Sequence, residues 1–443
     1  MPGQPLFPST DSPTVGVLWD ESHLWGLMLI RALNQLGFPF QLLSCSQIIH
    51  GALQGSDLQA LIVPGGWSAK KGAGLGSAGL EAIRRFVYHG GGYLGFCGGA
   101  GFALTTGRQT DCLGLCPWTR KPVQNRLPNC SGHMLLKAST ANRGPVCAPS
   151  EHILAPVWWP SQFEPRPGSN QPVVLASYAA PGKDFWVADL PLEKMGEEPL
   201  DEWEKRYNIN LSPDILVEEP ALISGRFGSG RYLLSYVHLE TPSSPQANRW
   251  LKTILTDALG LRSVPGLAEE VRPWHLTSRR IFWDDDVLTR GRQALMTIVQ
   301  AGVDRAFFSW RKPWLIGWKR GLPGFALNTL LAMIVEAQAR EPSPEADELW
   351  RHRKEQFEGT LQEFRSLFLE LLRTEAEQPG TPARSNHAAD KTEVERLKER
   401  LVGPFPGQAG LFGQLSGDLQ ELLWIQLQHE RPGHIQPEAD QIR

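Results

Sequence analysis

A doubly wound, mostly parallel α/β sheet followed by an all-α half is the fold class this sequence predicts, on three observations. Short apolar runs alternate with amphipathic helical stretches between Val15 and Gly99. Several of those runs stop at glycine-rich turns, as at Pro64-Gly65-Gly66 and Cys97-Gly98-Gly99. From about Val264 the strand signals give way to apolar stripes at helical spacing. Alternation of strand and helix implies parallel strands with helices on both faces.

Taken in order, Val15 to Trp19 reads as a strand and Ser22 to Leu36 as an amphipathic helix with Gly37 past its end. Phe40 to Ser44 and Leu61 to Val63 read as short buried strands, and Ser77 to His89 as a helix. A further strand then leads into Cys97. The stretch from Gln109 to Pro172 is rich in loop residues and is expected to form a lid or extension. Leu192 to Pro213 is acidic and expected to be exposed, with a short helix between Glu197 and Tyr207. The run from Arg231 to Glu240 reads as a late strand closed by Thr241-Pro242. Beyond Val264, Asp284-Asp285-Asp286 precedes a helical pattern reaching about Phe308. A triple aspartate could hold a divalent cation, but aspartates before a helix more often cap it, and the cap is the preferred reading. Ala326 to Ala339, Glu345 to Glu375, Thr392 to Leu401 and Leu411 to Gln428 read as further helices. Gln378 to Lys391 is polar, carries Pro, Gly and Ser, and reads as a flexible linker. The expected division is a tail over 1–12, an α/β domain over 13–263, and a helical domain over 264–443 with its linker near 378–391.

The residues that carry chemistry sit at predicted strand ends, where parallel sheets place their sites. Cys97 follows an apolar run and has glycines at −2, +1 and +2, namely Gly95, Gly98 and Gly99. A nucleophile on a tight strand-to-helix turn needs a strained backbone and no Cβ atoms close by, which those glycines permit. The N-terminus of the following helix would favour a thiolate. A buried structural cysteine beside a glycine-rich turn explains the isolated motif equally well. Far downstream, His238-Leu239-Glu240 supplies a base and a carboxylate two residues apart. On a strand the two side chains would share a face, so His238 could take the thiol proton while Glu240 fixes its tautomer. His-x-Glu by itself is common and also fits a surface histidine at a strand end. Gly65 and Gly66 could aim an N–H at an oxyanion beside the N–H of Gly98, although a simple tight turn accounts for them alone. Trp158-Trp159, before Pro160, could line a pocket or pack under a loop.

These pieces together resemble the class I glutamine amidotransferase-like superfamily from about Pro13 to Leu261, and within it the family named for the N-terminal domain of biotin-protein ligases. The matching runs are Val15 to Trp19, Ile62 to Gly66, Gly90 to Ala100, Val157 to Trp159 with Phe163, Val174 to Tyr178, and Gly228 to Ser235 leading to His238-Leu239-Glu240. The resemblance implies a flavodoxin-like sheet with Cys97 at the elbow and His238 and Glu240 after a late strand. Two departures bear on the site. The superfamily's His-Pro-Glu is His-Leu-Glu here. The early loop, usually small and glycine-rich, is Asp20-Glu21-Ser22-His23, so His23 joins the candidate pocket residues and the substrate does not carry over. Gly98, not His, follows Cys97, unlike the related peptidases. A Gly-Arg-Gly-Arg-type biotin loop and a Gly-x-x-x-x-Gly-Lys-Ser/Thr phosphate loop are both missing from the sequence, so it reads neither as a biotin ligase nor as a synthetase that uses ammonia.

Composition narrows the classes. A net charge of −3 over 443 residues argues against a dedicated nucleic-acid binder. The six cysteines show no disulfide framework, and reduced thiols in a cytoplasmic protein are the simpler reading. Cys112-x3-Cys116 with Cys130 and His133 has irregular spacing, so no metal and no cofactor is assigned. Met1 to Asp11 lacks the basic and apolar regions of a signal peptide. The run Phe325 to Val335 is too short to cross a bilayer, so no membrane association is expected. Two functional readings follow. One is a cysteine-dependent amidotransferase-like or C–N hydrolase using Cys97, His238 and Glu240 on a small-molecule substrate. The other is a catalytically silent ligand-binding or regulatory module whose helical half docks a protein partner.

Overall fold

A computed structural model describes residues 15–55, 57–106, 112–127, 129–139, 148–168, 171–195, 200–207, 209–264, 268–377, 392–404 and 409–428. The tail expected over 1–12 and the linker expected near 378–391 lie outside the described residues. The chain divides into two compact units, one running to Arg272 and one beginning at Pro273.

The first unit opens with β1 (Val15–Leu18), α1 (His23–Leu36), β2 (Phe40–Leu43), α2 (Cys45–Ile49), β3 (Ala60–Val63), α3 (Ser68–Tyr88), β4 (Gly92–Phe96) and α4 (Gly98–Ala103). β1, β3 and β4 are buried along their whole length, as strands covered on both faces must be. Gly37 ends α1 in the left-handed region at φ 79°, and its N–H returns to the carbonyls of Asn34 and Leu33. Ser44 and Gln47 form a reciprocal capping box that starts α2, a helix absent from the sequence reading. α3 begins nine residues before the expected Ser77 because it is two helical pieces joined at Gly76 (φ 55°, ψ −172°).

The stretch between Gln109 and Pro172, expected as a lid or extension, forms in its described residues an antiparallel extension of the sheet and a short two-stranded ribbon. β5 (Thr119–Arg120), β6 (Ser131–Ala138), β7 (His152–Trp158) and β8 (Phe163–Glu164) fall within it. They are followed by β9 (Val173–Pro181), β10 (Trp186–Val187), β11 (Leu190–Pro191), α5 (Leu200–Tyr207), β12 (Pro220–Phe227), β13 (Gly230–Ser235) and α6 (Pro245–Thr253). β6 pairs antiparallel with both β7 and β9, which satisfies its backbone. One mixed sheet results, in the order β11-β10-β6-β9-β12-β13-β4-β3-β1-β2, with β7 beside β6. Its central and β2-side strands, β13, β4, β3, β1 and β2, are all parallel to their neighbours in that set. The strands from β12 outward are antiparallel.

The second unit is mainly helical. It contains α7 (Asp286–Asp304), α8 (Gly324–Gln338), α9 (Pro344–Glu377), α10 (Glu393–Val402) and α11 (Gly410–Gln428). It is not all-α. α7 stops at Asp304, short of the expected Phe308, and a hairpin of β14 (Phe308–Lys312) and β15 (Leu315–Trp318) follows. Asp285 is the N-cap of α7, accepting from the N–H groups of Val287 and Leu288 at 2.8 and 3.1 Å. α8 is buried on nearly every face, and its length suits a core helix. Two of its polar side chains bond outside the helix: Asn328 Oδ1 accepts from Ile316 N–H at 2.9 Å, and Glu336 Oε1 accepts from Trp274 Nε1 at 2.8 Å. Among the described residues, no helix is long and apolar enough to cross a membrane.

Candidate functional site

Cys97 stands between β4 and α4 with φ 47° and ψ −102°, a strained conformation for a side-chain-bearing residue. Backbone bonds on both sides hold it there. Its N–H donates to Ser235 O at 2.7 Å, and its carbonyl accepts from Gly101 N–H at 2.9 Å. The glycines around it are required by close approach. A Cβ on Gly98 would lie 1.9 Å from Gly66 O, one on Gly99 2.0 Å from Val63 O, and one on Gly95 2.6 Å from Gly99 O. Gly66 itself has φ 107°, and a Cβ there would meet Glu21 O at 2.1 Å. The elbow, the turn after β3 and the loop after β1 are therefore in backbone contact. α4 is only six residues long, so the helix-dipole argument for a thiolate carries little weight here.

His238 and Glu240 come together, but not as neighbours on a strand. β13 ends at Ser235, whose Oγ accepts from Val237 N–H at 3.2 Å and donates to Val237 O at 2.6 Å. These local bonds take the chain out of the ladder. A turn follows, with Thr241 N–H donating to His238 O at 3.1 Å. Within it, His238 Nδ1 donates to Glu240 Oε1 at 2.7 Å, and both side chains are fully buried. Burial alone would depress the imidazole. The Glu240 carboxylate and the adjacent Cys97 thiol outweigh it and push the histidine up to about 10. With Nδ1 on Glu240, the hydrogen bond to the Cys97 sulfur falls to His238 Nε2, while Glu240 Oε2 is buried without a hydrogen-bond partner.

A residue absent from the sequence reading completes this region. The Trp25 ring lies 4.5 Å from the His238 ring, centre to centre, at an interplanar angle of 34°. It packs on Gly65, where a Cβ would fall 2.8 Å from the indole. Trp159 follows at 6.1 Å from Trp25 and has φ 51°. The two expected pocket tryptophans thus part company. Trp158 ends β7, is 1% exposed and donates from Nε1 to Thr241 Oγ1 at 3.0 Å, so it is core. The run of apolar residues in α1 hid Trp25, because only the fold reveals which face meets the turn after β3.

His23 is buried at the start of α1 with φ 43°. Burial, then Lys71 and Lys70, drive it down to about 3, so it is neutral near pH 7. It belongs to a second buried cluster built from the early loop. Lys71 Nζ, fully buried, donates to Ser22 Oγ at 2.5 Å and to Asp20 O at 2.8 Å. Asp20 Oδ2 accepts from Cys45 N–H at 2.6 Å. Burial lowers Lys71 to about 7 against the pull of Cys45, Glu21 and Asp20.

The five described cysteines are unpaired, and of these only Cys97 is not buried. Burial raises Cys116 to about 11 and Cys130 to about 12. His133 binds Asp184 Oδ2 through Nδ1 at 2.8 Å and Ser244 Oγ through Nε2 at 3.1 Å, so both its nitrogens are engaged. Among the described residues, no group of three or more His, Cys, Asp or Glu side chains is arranged to hold a metal ion.

The match to a known family lies where the elbow lies. Residues 46–108 match the family described as biotin-protein ligase, N terminal. That span contains Gly65, Gly66, Cys97 and Gly98 but neither His238 nor Glu240. An uncharacterized protein of Chlamydia muridarum (strain MoPn / Nigg) is 38% identical over 77 residues, 16% of this chain, and the match spans only 30% of that relative. Among solved structures, PurLQS from Thermotoga maritima aligns over 55% of this chain and 98% of its own, at 15% identity and a TM-score of 0.38. A β-galactosidase from Bacillus circulans sp. alkalophilus aligns over 57% of this chain and 32% of its own, at 13% identity and a TM-score of 0.34.

Proposed function

We propose that the first unit is a cysteine-dependent amidotransferase-like or C–N hydrolase enzyme with Cys97 as nucleophile, His238 as proton shuttle and Glu240 as the group that orients His238. The observation that carries this reading is the strained Cys97 backbone at φ 47°, ψ −102°, held beside a buried His238–Glu240 pair. Strain of this kind persists only where the surroundings enforce it, and it clusters at functional sites. The strand order β2-β1-β3-β4-β13 supports a flavodoxin-like core with its site at the carboxyl ends of the strands. Unpaired cysteines support a cytoplasmic setting.

In this mechanism His238 already holds the proton given up by Cys97, as a thiolate–imidazolium pair, and the sulfur attacks a carbonyl carbon of a small-molecule amide. The N–H groups of Gly98 and of Gly65 or Gly66 receive the oxyanion. The imidazolium, held charged by Glu240, returns the proton to the leaving nitrogen, which departs as an amine or ammonia and leaves a thioester on Cys97. Water, deprotonated by His238, attacks the thioester; collapse releases a carboxylic acid and restores the thiol. The test is a screen of primary and secondary amides with mass analysis of the intact protein. Turnover and an acyl adduct on Cys97, both lost in Cys97→Ala, are expected. Equal turnover by wild type and Cys97→Ala, or none by either across the screen, refutes the enzyme reading.

One observation favours the silent module with a partner-docking helical domain. His238 is fully buried under the Trp25 ring, an arrangement that also suits a rigid ligand platform. That reading predicts ligand binding that survives Cys97→Ala unchanged.

A further inference from the structure

Beside the elbow lies a group of buried donors that have no acceptors. Tyr178 and Tyr236 are each 1% exposed; the Tyr178 hydroxyl has no hydrogen-bond partner, and that of Tyr236 meets only the Ser161 hydroxyl. Arg126 Nε and Gln162 Nε2 are also buried and unpartnered. Burying a donor without an acceptor destabilises a fold, so three in one neighbourhood call for an explanation.

Their placement relative to Cys97 is fixed by several contacts. Tyr236 directly follows Ser235, whose carbonyl holds the Cys97 N–H. Its ring packs on Phe163 at 4.3 Å, centre to centre, tilted by 45°, and Phe163 is the register partner of Arg120. Arg120 packs on α4 one turn beyond the thiol, where its Nη2 would lie 2.5 Å from a Cβ on Gly101. The same nitrogen donates to Ser68 Oγ at 3.1 Å, next to the turn that carries Gly65 and Gly66. Arg126 Nη1 donates to Ser161 Oγ at 2.6 Å. Burial and the nearby Arg120 both work against the charge of Arg126, and no carboxylate figures among the charges acting on it. Burial dominates the environment of both tyrosines, and Cys97 lies close enough to act on each, as do Arg120 and Arg126 on Tyr236. Glu219, whose charge acts on Tyr178, is paired with Lys121 at 2.6 Å. Two guanidinium groups without a counter-charge, and phenol and amide donors without acceptors, are what an oxyanion would complete.

We infer that Arg120, Arg126, Tyr178, Tyr236 and Gln162 form a subsite for a compact oxyanion, a carboxylate or phosphate, carried by the molecule whose carbonyl meets Cys97. This rests on the reading of Cys97 as nucleophile and names the class of its substrate: an acid-bearing amide rather than a neutral one.

The test compares two alkylating agents of nearly equal size, iodoacetate and iodoacetamide, at Cys97. Relative to the same ratio for glutathione, Cys97 is expected to favour iodoacetate at least about tenfold. Arg120→Gln, a change at an exposed side chain, is expected to abolish that preference. A ratio equal to glutathione's, or one unchanged in Arg120→Gln and in Arg126→Gln, overturns the subsite. Failure of the nucleophile reading looks different: iodoacetamide then labels Cys97 no faster than the buried cysteines. In that event calorimetry on Cys97→Ala decides. Binding of glutarate or inorganic phosphate that weakens at least about tenfold in the double variant with Arg120→Gln sustains the subsite, and no binding of either overturns it. Which of the two probes binds distinguishes carboxylate from phosphate.

Discussion

Cys97 and Cys45 occupy the same kind of place and meet opposite chemistry. Each follows a strand of the parallel set and stands where a short helix begins, Cys97 after β4 and Cys45 after β2. Cys45 lies under an ordinary capping box, is 6% exposed, and its N–H is held by the Asp20 carboxylate. Burial first, then Asp20, raises its thiol far above the usual range. Cys97 has a strained backbone, partial exposure and an imidazole for a neighbour. Topology therefore offers both cysteines a strand-end position, and their neighbours decide which can react.

The largest expected effect is on alkylation. At pH 7, iodoacetamide should modify Cys97 on the order of a thousandfold faster than Cys45, because the thiolate is the nucleophile and burial suppresses it at Cys45. Peptide mass spectrometry over a time course measures both in one sample. Rates within tenfold of each other would erase the distinction between the two corners.

Next comes the backbone. Gly98→Ala forces a Cβ to within 1.9 Å of Gly66 O, and neither backbone segment can yield cheaply. It should cost about 3 kcal/mol in urea unfolding. At the other corner, Gly74→Ala would bring its Cβ 3.2 Å from the Cys45 sulfur, a side-chain atom that can shift. It should cost less than about 1 kcal/mol. Comparable losses for both would mean that the elbow is no tighter than an ordinary helix contact.

These glycines explain what the sequence could disclose. Gly95, Gly98 and Gly99 are legible because each answers a backbone clash that any side chain would create, and such demands mark a chain locally. The closeness of His238 and Glu240 is readable too, but through a strand parity that the fold does not use: the Ser235 hydroxyl bends the chain away first. The antiparallel extension is hidden because β6 mixes Ser131, Gly132, His133 and Lys137 with its apolar residues, and their partners on β10, Asp184 and Ser244 are remote in sequence. The β14–β15 hairpin is masked by its aromatic residues. Phe307, Phe308 and Trp314 fit a helical stripe or an exposed patch equally well, yet in the structure all three are buried, with Trp314 stacked near Trp274. Trp25 and Arg120 reach the site only through packing between elements, which no local pattern encodes.

In the wild type the smallest change is expected with pH, because two opposing dependences separate the two corners by sign. Folding raises His238 from 6.5 to about 10, so its contribution to stability is complete below pH 6.5 and is lost as pH rises toward 10. Folding lowers Lys71 from 10.5 to about 7, so its burial penalises the fold fully below pH 7 and is relieved as pH rises toward 10.5. Each gives a slope of up to about 1.4 kcal/mol per pH unit, and between pH 7 and 10 the two oppose. Wild-type stability should therefore be nearly flat across that window, so far as these two groups decide it. Lys71→Met removes the rising term and should leave a stability that falls with pH. Glu240→Gln removes the carboxylate that holds His238 charged, lets burial prevail, and should leave a stability that rises with pH. Urea unfolding of the three proteins at pH 7, 8, 9 and 10 measures the slopes. Parallel curves for the two variants would show that neither group titrates in the fold as its surroundings dictate. Slopes of the stated signs would show that the imidazole next to Cys97 remains charged well above neutral pH, the condition under which it can stabilise a thiolate and protonate a leaving nitrogen.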